Sequence, residues 1–298
     1  MAKPLVDIGR VGVWYGGIDA LPTPEAVTAA REIEQLGFGA LWVAEAVGRD
    51  PFVSSAVLLS GTERIPLATG IANIYARDPM TMAAGQRTVA EAYPGRFLLG
   101  IGVSHGHLVA GVRKHDYSRP YSHMVDYLDK MAGALFMAKG PEQDPGLVLA
   151  ALGPKMLELA ATKANGAHPY FTTPEHTEVS RNIMGPDALL APEQMVVLET
   201  DPVEARLIAR AGMKIYLGLP NYFNNLRRLG FDESDWSDGG SDRLVDAIVA
   251  WGTEEQIAAR VAEHHAAGAD HVCVQVLQAD PRNSPVGQLR RLAPALVG

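Results

Sequence analysis

The feature that most restricts this chain is a repeated alternation of short, unbroken apolar runs with longer segments of helical periodicity. Eight runs read as strands: Asp7–Tyr15, Ala40–Val43, Ile65–Tyr75, Phe97–Val103, Leu147–Leu152, Ala167–Phe171, Gln194–Glu199 and Asp270–Leu277. They are apolar throughout rather than alternating, the pattern of strands buried on both faces and therefore of a parallel sheet. Helical patterns lie between most of them. One starts near Pro24 with Ala26, Ala29, Ala30, Ile33 and Leu36 at helical spacing and stops at Gly37. Others cover Pro51–Ser60, Pro79–Ala92, Tyr121–Met137, Lys155–Ala164 and Thr253–Ala267, and a helix follows Pro202. Eight strands alternating with helices in 298 residues predict one α/β domain over 1–298, a (β/α)8 barrel with insertions after late strands. The polar, Asn- and Gly-rich stretch Pro220–Gly240 reads as an inserted irregular excursion. In such a barrel, function is expected on the loops that follow the strands.

Composition narrows the function classes. A hydrophobic fraction of 47 % suits a globular enzyme with a large core. The net charge of −8, with no basic cluster denser than Arg227-Arg228, argues against nucleic acid or an anionic membrane as partner. The single cysteine, Cys273, excludes an internal disulfide and a cysteine metal cage, and its apolar neighbours predict a buried strand residue. Met1–Val13 lacks a basic segment followed by a sustained apolar stretch, and no run approaches the ~18 apolar residues that span a bilayer. The expectation is a soluble, cytoplasmic protein acting on a small molecule.

Three stretches could carry chemistry. Thr69–Pro79 offers Gly70, Ile71, Ala72 and Asn73, small residues that allow a planar ligand close to the backbone and an amide suited to a heterocycle's carbonyl and N–H. The same residues also read as a strand that bulges before a helix capped by Asp78. Gly100–Gly106 fails as a dinucleotide fingerprint, because its last glycine is one place late and no acidic residue follows about 20 positions on. As a strand exit it sets Val103, Ser104 and His105 where ligands bind. His105 and His107 lack a nearby third ligand, so no metal is expected. Gly153, Pro154, Lys155 and Met156 open a helix and read either as a plain strand-to-helix turn or as an anion site of free N–H groups. Glu45, at the end of the second strand, reads equally as a buried proton carrier or a solvated acid. Trp14, Tyr15 and Trp42 could wall a pocket or fill the core. His168-Pro169-Tyr170 and Asn221–Asn225 are expected to shape a substrate pocket.

Taken together these segments resemble the luciferase-like monooxygenase superfamily, and its branch of actinobacterial oxidoreductases that use the deazaflavin coenzyme F420. The likeness rests on Glu34–Trp42, the third-strand segment, Pro94–Gly102, Leu152-Gly153-Pro154, Gly252–Ile257 and Ala267–Val272. It implies a non-proline cis peptide at Gly70–Ile71 beneath the cofactor ring, with Gly70, Ile71, Ala72 and Asn73 touching it. It implies Val103, Ser104 and His105 at the ring's flank, and Gly153, Pro154, Lys155 and Met156 at the phosphate. An acid–histidine pair common after the second strand of such enzymes is replaced by Glu45-Ala46, and the acid after the fourth by His105, which leaves Glu45 and His105 as the candidates for proton transfer. The implied activity is hydride transfer between F420 and an organic substrate. FMN with oxygen chemistry, a catalytically silent cofactor-binding barrel and metal-dependent hydrolysis are the alternatives. A homodimer is a family-level expectation.

Overall fold

The computed structural model describes residues 6–298. Eleven short strands form one sheet in which every pairing is parallel. They are β1 (Val11–Trp14), β2 (Leu41–Val43), β3 (Leu67–Thr69), β4 (Ala72–Asn73), β5 (Phe97–Gly102), β6 (Leu147–Leu149), β7 (Gly166–Ala167), β8 (Leu189–Leu190), β9 (Glu193–Val197), β10 (Val249–Trp251) and β11 (Val272–Val276). The order β11-β1-β2-β3-β5-β6-β7-β8 follows the expected barrel. Closure comes from β8 running into β9 across Ala191-Pro192. On one side Ala191 and Glu193 donate to the carbonyls of Ala167 and Pro169; on the other, Asp270 and Cys273 donate to those of Leu190 and Pro192. The pair β8/β9 is thus one broken seventh stave, and β11 is the eighth.

Helices occupy the outside, and their starts are written plainly in the sequence. Asp50-Pro51, Asp78-Pro79 and Asp201-Pro202 open α2 (Pro51–Ser60), α3 (Pro79–Ala92) and α7 (Pro202–Met213). In each, the aspartate side chain accepts from two backbone N–H groups, and proline takes the first position, where no N–H is needed. The remaining principal helices are α1 (Thr23–Gln35), α4 (Pro120–Ala132), α5 (Pro154–Lys163), α6 (Pro174–Met184), α8 (Pro220–Arg228), α9 (Glu233–Trp236), α10 (Asp242–Ile248), α11 (Glu254–Ala266) and α12 (Val286–Leu296).

Strand alternation separates two layers. Val11 and Val13, Leu41 and Val43, Leu99 and Ile101 pack outward against the helices, while Trp14, Trp42, Leu98, Val148, Leu189 and Cys273 meet inside the ring. Cys273 is fully buried in β11.

The structure departs from the sequence reading in three places. Pro220–Gly240 is not irregular: it folds as α8, α9 and a short 3-10 turn, with Tyr222, Asn225 and Leu226 on the buried face of α8. The interval after residue 171 holds α6, whose mostly polar sequence hides its helical period. Val249–Trp251 is an added strand on β9, outside the eight staves.

Candidate active site

The third stave is interrupted where ligand contact was expected. Ala68 opposes Leu98 and Ala72 opposes Ile101, so four steps on β3/β4 face three on β5, a bulge of one residue. The peptide joining Gly70 and Ile71 within that bulge is cis. Thr69 bridges the broken ladder: its hydroxyl donates to the Gly100 carbonyl at 2.7 Å and accepts from the Gly100 N–H at 2.8 Å. Position 100 must be glycine here, since a Cβ would lie 2.0 Å from the Thr69 carbonyl oxygen.

Above this break, at the C-terminal ends of the strands, opens a cavity of about 470 Å3, the range of small-molecule sites. Gly70, Ile71, Val103, Ser104, Gly153 and Met156 all line it, as do Glu45 and His105. Ala72 and Asn73 do not. They turn into the β4–β5 pairing and are fully buried, with the Asn73 Oδ1 accepting from the Tyr75 N–H. Of the four residues expected to touch a ring, only Gly70 and Ile71 reach the cavity wall. Pro154 and Lys155 are also absent from the wall, and Lys155 faces solvent. The positive charge near the turn comes instead from Arg228, at the end of α8, whose guanidinium nitrogens lie 3.6 and 3.7 Å from a Cβ built on Gly153.

Glu45 is held rather than poised. Arg77 grips both carboxylate oxygens, at 2.7 and 2.8 Å, and the Asn73 N–H donates to Oε2 at 2.7 Å. The side chains of Glu45 and Arg77 are only 6 % and 8 % exposed. A carboxylate so engaged is an anchor for the bulge, and the geometry turns against Glu45 as the proton carrier. His105 is differently placed. Its Nδ1 lies 3.2 Å from Asn221 Oδ1, a carbonyl oxygen that only accepts, so Nδ1 carries the proton and Nε2 keeps its lone pair. Burial lowers its affinity for a second proton, with the Asn221 contact opposing that shift, which favours the neutral ring. The preceding Ser104 has φ +57°, and its carbonyl is tied to the Tyr117 hydroxyl at 2.8 Å.

The remaining wall is aromatic. Tyr170, Tyr216 and Tyr222 line the cavity, with Tyr170–Tyr216 centroids 5.2 Å apart and Tyr216–Tyr222 centroids 5.4 Å apart. Gln275 Oε1 only accepts, so Tyr170 donates to it at 2.7 Å and in turn receives the Tyr216 hydroxyl at 2.7 Å. Trp14 packs on Tyr170 at 5.0 Å. Trp42, by contrast, is wholly inside the barrel. The substrate-shaping segments around His168–Tyr170 and Asn221–Asn225 do meet here, through His168, Tyr170, Asn221, Tyr222 and Asn224. Arg228 was legible only as half of a basic pair. Nothing local to it signals that α8 lies over the start of α5.

Among the described residues no group of three or more His, Cys, Asp or Glu is placed to hold a metal ion, and His105 and His107 stack with centroids 6.1 Å apart. No helix among them is long and apolar enough to cross a membrane. A second hollow of about 510 Å3 lies at the opposite end of the barrel, under the 139–145 loop and beside Val6, away from the strand ends where barrel chemistry is found.

A family model for the luciferase-like monooxygenases matches residues 9–271. The chain belongs to that family. It is 24 % identical over 278 residues, 80 % of each chain, to a Mycobacterium tuberculosis protein described as a coenzyme F420-dependent oxidoreductase. Its fold matches that of an F420-dependent secondary alcohol dehydrogenase solved with an F420–acetone adduct (TM-score 0.78, 14 % identity, 97 % of this chain and 99 % of that one). It also matches the oxygenating component of a Pseudomonas putida 3,6-diketocamphane monooxygenase solved with FMN (TM-score 0.69, 13 % identity, 97 % and 96 %). Solved structures with this fold thus include one with an F420 adduct and one with FMN.

Proposed function

We propose that this protein is an oxidoreductase that binds coenzyme F420 and moves a hydride between it and a small, largely apolar organic substrate. The observation that carries this reading is one cavity that joins the Gly70–Ile71 bulge to the Gly153 turn and Arg228. Such a cavity suits a planar ring with an anionic tail. The residues fit that group: Gly153 presents the start of α5 with no side chain in the way, and the guanidinium of Arg228 stands beside it. When bound, a deazaflavin supplies a ring carbon that accepts or releases hydride.

The protein's share of the chemistry is orientation, exclusion of water and proton handling. Ile71, Val103 and Leu152 give apolar walls, and the three tyrosines close the side facing α8. His105 is the proton carrier in this reading. With Nδ1–H held by Asn221, its Nε2 lone pair takes the hydroxyl proton of an alcohol as hydride leaves the adjoining carbon, and returns it to the carbonyl oxygen in reverse. Glu45 and Arg77 act at one remove, fixing the bulge through the Asn73 N–H.

FMN is the second reading of the cofactor, favoured by the diketocamphane monooxygenase likeness. Titrating the purified protein with F420 and separately with FMN, following cofactor fluorescence, tests both. F420 is expected to bind at micromolar concentration or tighter. His105→Gln should retain that affinity while turnover of a secondary-alcohol panel falls about 100-fold. Binding of FMN alone would overturn the deazaflavin assignment, and undiminished turnover in the variant would remove His105 from the proton step.

A further inference from the structure

His105 and His107 stand two residues apart, and side chains at that spacing on a regular helix point away from each other. Here their rings lie nearly parallel, with 12° between planes and 6.1 Å between centroids, and both line the cavity. Two irregularities of the backbone accompany this pairing. Ser104 takes the left-handed conformation at φ +57°, which costs a residue with a Cβ about 1–2 kcal/mol. His107–Val112 then winds as a turn of π-helix, the Arg113 N–H reaching back five residues to the Leu108 carbonyl at 2.9 Å. Such turns concentrate at functional sites. Tyr117 braces the bend: its hydroxyl donates to the Ser104 carbonyl, and its ring lies 3.3 Å from a Cβ built on Gly106.

The two rings differ in what surrounds them. His105 is half-buried, with Tyr222 beside its ring at 5.5 Å. Its Nδ1–H is held by Asn221 Oδ1, an amide oxygen that accepts a hydrogen bond but is no base, so a proton taken up at Nε2 cannot leave on that side. Nε2 itself is neither bonded within the described residues nor sealed from solvent. Burial also weakens the hold of His105 on a second proton. His107 is exposed, and among the described residues its ring has no hydrogen-bond partner, which leaves it free to exchange protons with water. With centroids 6.1 Å apart the rings do not share a direct N–H···N bond. One bridging water, with two bonds of about 2.8 Å, spans about 5.6 Å and can join them.

We propose that His107 is the proton exit of His105: through one bridging water it carries to solvent the proton that His105 Nε2 takes, and it brings one in for the reverse reaction. Its use in turnover rests on the hydride-transfer reading above. As the alcohol's C–H hydride goes to F420 and the carbonyl forms, the O–H proton passes to His105 Nε2. Once the product leaves, the His105 cation gives that proton to the water, the water passes one of its own to His107, and His107 releases one to bulk solvent. The alcohol has then given up one hydride and one proton, and both histidines are neutral again. His107 touches no reacting atom and acts only through His105. Without it, His105 stays cationic after each oxidation and cannot serve as a base until its proton finds a slower route.

The first test needs no cofactor. In the full chain with 13C-labelled histidine Cε1, NMR follows the His105 ring at the midpoint of its titration in dilute buffer. Fast proton exchange gives one sharp, averaged signal in the wild type. His107→Gln, which can hydrogen-bond but cannot carry a proton, should slow that exchange about tenfold and broaden the signal. Added imidazole, standing in for the lost ring, should sharpen it again. The second test is oxidation of a secondary-alcohol panel with F420 in the same dilute buffer. The variant's kcat should fall about tenfold while KM and F420 affinity hold, and imidazole should restore most of it while leaving wild type unchanged. His107→Ala should behave as His107→Gln does, with circular dichroism and melting temperature checking that both fold. Equal exchange and turnover in variant and wild type, or losses that imidazole does not relieve, overturn the proton exit and leave the hydride-transfer reading standing. Slowed exchange in the variants together with a wild type that oxidises no alcohol keeps the proton exit and removes that reading.

Discussion

Glu193 offers a quantitative test of how the barrel interior is built. It opens β9, is 1 % exposed, and has one oxygen satisfied by the Phe171 N–H at 3.1 Å while the other has no partner. Burial raises its pKa from 4.5 to about 8, the Phe171 contact only partly opposing this. The sign follows from proton binding. Above pH 4.5 the unfolded chain releases this proton, whereas the folded chain holds it until about pH 8. Folding stability from this group is therefore complete below pH 4.5 and is lost as pH rises through that window. At 1.36 kcal/mol per unit, the loss is about 3 kcal/mol at pH 7, and most of it, about 2–3 kcal/mol, accrues between pH 5 and pH 7. Glu193→Gln keeps the shape and cannot ionise. In urea titrations at pH 5, 6, 7 and 8, the variant's stability should gain on wild type by about 2–3 kcal/mol from pH 5 to pH 7. His168 and His271, both held near pKa 4 by burial, destabilise each protein equally on the acid side and cancel in the difference. Parallel stability curves for the two proteins would refute the claim that a neutral carboxyl is buried here.

Two further outcomes follow from the site. Arg77→Met leaves the Glu45 carboxylate buried without its guanidinium, and breaking such a pair costs about 3–5 kcal/mol; thermal and urea unfolding should show that loss, and an undiminished stability would mean that Glu45 does not depend on Arg77. Gly153→Val and Arg228→Gln should each weaken F420 binding, by roughly tenfold in low salt for the lost cation; fluorescence titration at two salt concentrations checks this, with the Arg228 effect expected to shrink as salt rises.

The sequence exposed what depends on neighbours along the chain. Asp50-Pro51 and Asp78-Pro79 mark helix starts by local hydrogen bonding, and unbroken apolar runs betray strands covered on both faces. What stayed hidden depends on residues far apart. Asn225 counts as polar in any pattern, yet it is 2 % exposed because α8 packs against the barrel. Asn73 carries the amide that suits a heterocycle, but one extra residue in the third stave rotates it out of the cavity. Glu45 could be read as a free acid until Arg77, 32 positions later, was seen to clasp it.

The ring has a seam whose timing matters. Val11 of the first stave pairs with Val272 of the last, and Gly12 with Cys273. During synthesis, then, β1 has exposed edge groups until β11, 261 positions later, has left the ribosome. Its long wait makes the early half a partly open, sticky sheet, the condition under which chains associate wrongly. The cavity floor, which takes Trp14 from one side of that seam, comes into being only when the seam is sewn.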